Sequence, residues 1–397
     1  MKIQLNSNFS HRYKQTAFAW ERQKSSVLTF FLLFFYTFTV NAMNKPPMNK
    51  HVVIGYIAGY AGLIDIKMIK PEKLTHLNYA FANIKNNRIS LSNAGTDTVN
   101  LKNLNTLKIK NPNLKILVSV GGWSYSGNFS DMALSDSSRK AFGRSAAMLV
   151  NKYKLDGIDI DWEFPGLPGA GNVHRFEDKH NFTLLMKACR EELDRVGRQD
   201  GKKLMLTVAA DCSQIFLDHT EMDSVQAYLD YINLMTYDFL TEIPNLTFHA
   251  AGLFPSKKMV SNNTICQSVL CYLKAGVLPE KMVLGIPFYG HLYHLKKNVH
   301  SASGAEIKEH IGTQGFTFIK DSLINSNHFQ YHRDRTAKAA YLFSPHDKQF
   351  VTFDDEWSVK HKCRYVRKHK LAGIMFWEYS SDEKGYLLEE INKKLMD

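Results

Sequence analysis

The sequence LDGIDIDWEFPG, residues 155–166, carries the strongest structural signal in this chain. Three of its carboxylates, Asp159, Asp161 and Glu163, fall at every second position, and the residues between them are bulky and apolar. Because alternate side chains of an extended strand point to opposite faces, the three acids line one face and the apolar residues pack on the other. Carboxylates placed so close raise one another's pKa, and such a face is typical of a site built for proton transfer.

Two other interpretations of this acidic run exist. It could be a solvated loop, or a cation site with oxygen ligands. Ile158, Ile160 and Trp162 argue against the loop, because their spacing requires a buried opposite face. The run lacks the glycine and the distal glutamate of a calcium-binding EF-hand, which argues against the cation site. We therefore interpret it as a catalytic strand.

Apolar runs alternate with helical stretches along the rest of the chain. The predicted strands are residues 52–57, 77–82, 115–120, 155–161, 204–209, 231–236, 282–288 and 372–377. Amphipathic residues 138–153 and 181–195 fit crossover helices. This alternation predicts an α/β fold, a (β/α)8 TIM barrel. The gap before the last strand is too long for one loop and one helix, so we expect a small α+β insertion at about 290–355 between strands 7 and 8, forming one wall of a cleft.

The acidic series ends the fourth predicted strand. Catalytic residues of such barrels lie at the carboxyl ends of the strands, and other strands end there in polar or aromatic residues too. These residues are Tyr56, Ser119, Tyr237, Asp238 and Trp377. Together they would enclose a cleft.

Several segments resemble family 18 glycoside hydrolases, the chitinases and their relatives. Residues 156–163 match the DxxDxDxE signature, 235–238 (MTYD) resemble the MxYD segment, and 119–123 (SVGGW) resemble the SxGG element. The resemblance runs from about 52 to 395 and includes GIPFYG at 285–290. At 353–355 the chain departs from it, because Phe353 replaces the tyrosine that relatives often carry.

The resemblance implies substrate-assisted catalysis, in which the 2-acetamido oxygen of the substrate attacks the anomeric carbon. Glu163 would be the general acid and base, and Asp161 would orient the acetamido group. Asp159 would share a proton with Asp161, and the Tyr237 hydroxyl would donate to the acetamido carbonyl. No metal or organic cofactor is implied.

The resemblance also implies a set of residues that bind the substrate or support the acids. Trp377 would be the aromatic floor beneath the sugar, Asp238 would contact the acetamido group or a hydroxyl, and Trp123 would line a neighbouring subsite. Ser119 and Tyr56 would hydrogen-bond to Asp159. Met235 of the MxYD segment is expected to contact the substrate. Asp156 is out of phase with the acid face and is expected to have a structural role.

The expected activity is that of a retaining glycoside hydrolase that cleaves β-1,4-linked N-acetylglucosamine polymers, with chitin as partner and a monomer as the working form. One alternative is an endo-β-N-acetylglucosaminidase that acts on N-glycan cores. The other is a chitin-binding lectin on an inactive barrel, against which the presence of Glu163 argues.

The amino-terminal residues predict export. An uncharged apolar run at 27–40 follows Arg22 and Lys24, so 1–42 is interpreted as a signal peptide or signal anchor. Residues 43–50 are then a spacer and 51–397 the catalytic barrel. We expect a secreted protein, periplasmic if the source is bacterial, without stable membrane association once the signal is cleaved.

Charge and cysteine content add little to this. The net charge is +12, but the basic residues are scattered, which favours a solvated surface over nucleic-acid binding. A cationic surface could still help adsorption to an anionic matrix. The five cysteines form no dense framework, although Cys266 and Cys271 could pair if the loop between them folded back.

Overall fold

A computed structural model describes residues 51–239, 245–259 and 263–396 of the chain. The predicted signal segment 1–42 and the spacer 43–50 lie outside the described residues, as does the last residue of the chain. No helix within these described ranges is long and apolar enough to cross a membrane.

The chain forms two sheets. In chain order the strands are β1 (Val52–Ala58), β2 (His76–Lys85), β3 (Arg88–Leu91), β4 (Lys115–Gly121), β5 (Gly157–Asp161), β6 (Met205–Ala210), β7 (Tyr231–Leu234), β8 (Met282–Pro287), β9 (Tyr289–Leu295), β10 (Ile307–Gly315), β11 (Gln330–Asp334), β12 (Ala339–Ser344), β13 (Gln349–Phe353) and β14 (Gly373–Trp377). Strands β1, β2, β4 to β8 and β14 are parallel, and β1 pairs with both β2 and β14. This closes the barrel and confirms the predicted (β/α)8 fold.

Helices occupy the connections between the strands. They are α1 (Ala94–Asn105), α2 (Phe129–Ala133), α3 (Asp136–Lys152), α4 (Asp178–Gln199), α5 (Gln214–Asp218), α6 (Met222–Val225), α7 (Ile265–Lys274), α8 (Phe316–Phe318, continued by a π-helix over Ile319–Ile324), α9 (Glu356–Lys368) and α10 (Tyr386–Leu395). The two crossover helices predicted at 138–153 and 181–195 are α3 and α4. Helix α3 begins with a capping box, in which the Ser135 hydroxyl accepts from the Ser138 backbone N–H.

The two faces of β5 differ as its sequence predicts. Ile158 and Ile160 are fully buried. Trp162 follows the strand and stacks on Phe129 with ring centroids 5.2 Å apart. Burying each such side chain contributes about 1.5–3 kcal/mol, which offsets the unfavourable burial of carboxylates on the opposite face.

Asp156 lies just before β5, away from the acid face. Its Oδ2 accepts a hydrogen bond from the Ile116 backbone N–H (2.8 Å) and lies 2.5 Å from the Lys108 ammonium. The carboxylate therefore joins β5 to the neighbouring β4, in agreement with a structural role.

The insertion follows the seventh barrel strand almost at once, because β8 ends at Pro287 and β9 begins at Tyr289. Its five strands form an antiparallel sheet in the order β10-β9-β13-β12-β11. A small core of its own includes Tyr293, Phe343 and Phe350. The predicted insertion is thus present between strands 7 and 8.

All five cysteines are free thiols. Cys266 and Cys271 both lie on α7, and the residues between them are helical. Side chains five positions apart on a helix point in different directions, so the loop needed for pairing does not exist.

Candidate active site

The three acids of the β5 segment lie at increasing distance from the barrel interior. Asp159 is fully buried, Asp161 is 4% exposed, and Glu163, just beyond the strand, is half-buried. The alternation of the strand therefore delivers one carboxyl to the core of the barrel and two to the mouth.

Asp159 is surrounded by hydrogen-bond donors. Its Oδ2 accepts from the hydroxyls of Tyr56 (2.9 Å) and Ser119 (2.7 Å), the two contacts expected from the sequence. Its Oδ1 accepts from the Thr207 hydroxyl (2.5 Å) and the Asn233 amide (3.1 Å), which the sequence analysis missed. Burial raises the pKa of Asp159, while the four donors act against that rise because they favour the ionised form.

Asp161 has a different environment. Its Oδ1 is buried and makes no hydrogen bond with any described residue. Burial raises the pKa of Asp161 well above its usual value, and the charges of Glu163 and Asp159 raise it further. Four donors contact the Asp159 oxygens, and the proton shared between Asp159 and Asp161 stays a prediction. The Asp161 carboxyl instead lines the cleft.

Glu163 has the properties of a general acid at neutral pH. Burial, followed by the charges of Asp211 and Asp238, raises the pKa of Glu163 to about 7. Its backbone N–H donates to the Ser126 hydroxyl oxygen at 2.8 Å, which anchors the segment beyond the strand. Groups that titrate near the working pH both give and take protons efficiently.

Asp161 and Glu163 line a cleft of about 740 Å³ at the carboxyl ends of the barrel strands. Its lining is formed by Tyr60, Phe81, Trp123, Ser124, Tyr125, Asp161, Glu163, Phe164, Asp211, Met235, Tyr237, Asp238, Tyr289 and Trp377. Seven of the residues proposed from the sequence are thus brought to one cleft, while Tyr56, Ser119 and Asp159 lie beneath it.

Trp377, which is expected to be the aromatic floor, lines the cleft. Its ring stacks on Phe81 with centroids 5.4 Å apart and a 20° angle, and it lies 5.8 Å from Tyr56. Trp123 is 56% exposed at another part of the cleft, 6.4 Å from the Phe164 ring. Trp377 is therefore held by its neighbours, whereas Trp123 is largely free to meet a ligand.

Tyr237 and Asp238 follow β7. Burial and then the charges of Asp161, Asp238 and Glu163 raise the pKa of Tyr237 well above its usual value, so its hydroxyl keeps its proton and can donate. The Asp238 carboxylate accepts from the Tyr289 hydroxyl and from His291, each at 2.7 Å.

Sequence reasoning missed Asp211, Tyr289 and His291. Asp211 directly follows β6, so the rule that polar residues end barrel strands could have found it. Tyr289 lies in the GIPFYG segment that carried part of the resemblance. No sequence signal joins His291 to Asp238, which is 53 residues away.

Comparison with known proteins agrees with this geometry. Residues 52–382 match the profile of Glycosyl hydrolases family 18. Chitinase A1 of Niallia circulans is 32% identical over 90% of this chain and 60% of its own length. The chain thus spans less than two thirds of that relative. Chitotriosidase-1 of Mus musculus is 32% identical over 79% of this chain and 68% of its own length.

Solved structures show the same fold. A family 18 N-acetylglucosaminidase from Paenibacillus barengoltzii has a TM-score of 0.80 and 39% identity, covering 87% of this chain and 100% of that one. A chitinase-like agglutinin from Robinia pseudoacacia has a TM-score of 0.76 and 27% identity, covering 86% and 99%. The chain therefore belongs to the glycosyl hydrolases family 18, which confirms the family predicted from its motifs.

Proposed function

We propose that this protein is a chitinase that hydrolyses β-1,4 bonds between N-acetylglucosamine units with retention of the anomeric configuration. One observation carries the proposal: Glu163, with a pKa of about 7, shares a cleft with an Asp161 carboxyl that has an unpartnered buried oxygen. The first group suits proton transfer to a leaving oxygen. The second suits an N–H donor of the substrate, because buried acceptors require partners.

In the first step, the Glu163 carboxylic acid gives its proton to the glycosidic oxygen as the bond from that oxygen to C1 breaks. The acetamido oxygen of the same sugar forms a bond to C1. Asp161 accepts a hydrogen bond from the acetamido N–H. The Tyr237 hydroxyl donates a hydrogen bond to the acetamido oxygen before and during attack, and the two contacts stabilise the charge that develops on the group.

In the second step, water attacks C1 from the side that the leaving group vacated. The Glu163 carboxylate takes a proton from that water, and the bond between C1 and the acetamido oxygen breaks. Two inversions at C1 give retention. Asp159 keeps its four hydrogen-bond donors throughout, and its carboxyl influences the charge of Asp161 above it.

The expected location, oligomeric state and substrate are part of this proposal. We propose secretion on the basis of the apolar run at 27–40, and action as a monomer on chitin or its oligosaccharides. Chitinase names among the relatives support the substrate class.

A second candidate is release of single sugar units, since the Paenibacillus barengoltzii N-acetylglucosaminidase is 39% identical to this chain. The N-glycan activity and the lectin remain as alternatives. The same fold occurs in the chitinase-like agglutinin of Robinia pseudoacacia, so the fold by itself does not indicate catalysis. The argument for catalysis in this chain rests on its acidic residues.

The test is incubation with chitohexaose, with products and their anomers resolved by chromatography. Glu163→Gln should bind normally and lose turnover by roughly a thousandfold, as expected for removal of a general acid. Asp161→Asn should also lose most of its turnover. Glu191→Gln, an exposed glutamate on α4, is the control that should stay active.

The products separate the candidates. Initial β-anomers of mixed length support a retaining endo-chitinase, and single sugars from the first time points support the exo-acting alternative. Binding without cleavage by the unaltered protein would support the lectin. Neither binding nor cleavage would contradict the chitin proposal and direct the assay to N-glycan cores.

A further inference from the structure

A second cavity, of about 520 Å³, lies on the insertion sheet and α9. It is lined by Tyr331, His332, Arg333, Arg335, Lys338, Trp357 and His361. We call it the cationic pocket. It shares no lining residue with the catalytic cleft. Three permanently charged cations line it and no carboxylate does, which is an unfavourable arrangement unless an anion is present.

The compensation available inside the protein is small. Asp355, which is buried, accepts a hydrogen bond from Nε of Arg333 at 2.7 Å. Asp334, also buried, is already bound to His249 at 3.1 Å. Among the described residues, no carboxylate lies within ion-pair distance of Arg335 or Lys338. The pocket therefore keeps a positive charge.

The two histidines that line the pocket have lowered pKa values. Burial lowers the pKa of His361, and the charges of Lys338, Arg364 and Lys360 lower it further. His332 responds in the same direction, since burial and then Lys258 lower its pKa. Both imidazoles are thus neutral at pH 7, and they can accept or donate hydrogen bonds without adding charge.

Aromatic rings hold two of the cations in place. The Arg333 guanidinium lies 5.2 Å from the Tyr331 ring and 5.4 Å from the Trp357 ring. The Lys338 ammonium lies 5.6 Å from Trp357. Cation–π contacts of this kind order long side chains before a ligand arrives.

The backbone beneath the pocket is also held. Between β11 and β12, Oδ1 of Asp334 accepts hydrogen bonds from the Thr336 backbone N–H (2.9 Å) and from the Ala337 backbone N–H (3.2 Å). Opposite this turn, α9 begins with a capping box between Asp355 and Ser358. The cations therefore project from rigid elements, as in a preformed binding site.

We propose that the cationic pocket binds the sulfate or phosphate esters of an anionic polysaccharide. Guanidinium and ammonium groups recognise tetrahedral oxyanions by charge-assisted hydrogen bonds. The cavity is far larger than one such oxyanion, so there is room for the sugar that carries it. The choice of a polysaccharide rests on the proposed function. An enzyme that degrades a polysaccharide would stay longer near its substrate if it also bound an anionic polysaccharide beside it.

The test uses the full protein and measures binding by calorimetry at low and physiological salt. The probes are a sulfated oligosaccharide, a phosphorylated oligosaccharide, inorganic sulfate and phosphate, and a single-stranded oligonucleotide. The Arg335→Gln/Lys338→Gln double variant removes two cations without touching the Asp355 contact. We expect it to weaken binding of at least one anionic oligosaccharide by about tenfold or more, as for loss of hydrogen bonds to charged groups.

The matched control is Arg144→Gln/Lys187→Gln, which removes two exposed cations from α3 and α4. Its affinity should stay within about twofold of the unaltered protein, since non-specific charge alone contributes little at physiological salt. If both double variants weaken anion binding equally, the cationic pocket is not the binding site. Binding of the inorganic ions alone would overturn the assignment of a polysaccharide as the ligand. Tighter binding of the oligonucleotide than of the oligosaccharides would overturn it too.

This result is independent of catalysis. Chitohexaose hydrolysis should be unchanged in both double variants, because neither pair lines the cleft. Anion binding with no chitohexaose hydrolysis would contradict the proposed function and leave the pocket intact.

Discussion

His291 and Asp238 are joined by a hydrogen bond of 2.7 Å between Nε2 and Oδ1, which links the insertion sheet to the rim of the barrel. The other His291 nitrogen, Nδ1, lies 3.2 Å from Nε2 of His310 on the neighbouring strand β10. The Tyr289 hydroxyl donates to the second Asp238 oxygen. The insertion therefore orients a carboxylate of the cleft and does more than form its wall.

His291→Leu should lower kcat/KM for chitooligosaccharides by about tenfold, because it removes a hydrogen bond to a charged, partly exposed carboxylate. His291→Gln keeps a donor at the same place and should lose less. Steady-state kinetics of the two variants, with thermal unfolding as the fold check, measure this. Equal losses in both variants would show that the contact does not position Asp238.

Asp211→Asn should move the alkaline limb of the pH–activity profile to lower pH, on the order of half a pH unit. Glu163 must be protonated to act as the acid, so activity falls as pH rises through its pKa of about 7. The Asp211 charge is part of what raises that pKa, and removing it lowers the pKa. The measurement is kcat/KM against pH. An exposed aspartate, Asp200→Asn, is the control, and a shift to higher pH would contradict the assignment.

Trp377→Ala should weaken oligosaccharide binding by roughly tenfold, because sugar C–H faces pack on the held ring. Binding is best measured in the Glu163→Gln background, where the ligand is not consumed. Trp123→Ala, at the more exposed ring, should lose less. If the order of the two losses is reversed, the main stacking platform lies at Trp123.

Lys362→Met should destabilise the protein by about 3–5 kcal/mol, because it leaves the buried Asp354 charge without its cation. Burial lowers the pKa of Lys362 and raises that of Asp354, as expected for an ion pair removed from water. Urea denaturation measures the loss, with the exposed Lys368→Met on the same helix as control. Adding Asp354→Asn to Lys362→Met should recover part of the stability, and no recovery would mean that packing dominates.

The acid series shows how far local pattern reaches. The placement of Asp159, Asp161 and Glu163 on one face follows from the two-residue period of a strand, and the structure has that face. The donors around Asp159 did not follow, since Thr207 and Asn233 come from strands 48 and 74 residues further along. The side-by-side order of β5, β6 and β7 in the barrel brings them together, and the sequence does not state the register of that pairing.

The proton expected to be shared between Asp159 and Asp161 stays a prediction, since spacing alone does not place it. Spacing brings the two carboxyls to one face, but hydrogen-bond partners decide where a proton resides. The cationic pocket is a second case, because Arg335 lies in the insertion, Trp357 lies on α9, and no motif connects them.

Eight apolar runs, their helical connections and one acidic strand were enough to predict the barrel, its insertion and the position of the candidate site. Strand and helix periods are local properties of a chain. The raised pKa of Glu163, the unpartnered oxygen of Asp161 and the contact between His291 and Asp238 came from tertiary packing. Burial and charge–charge distance set pKa values and hydrogen bonds, and both exist only once distant segments meet.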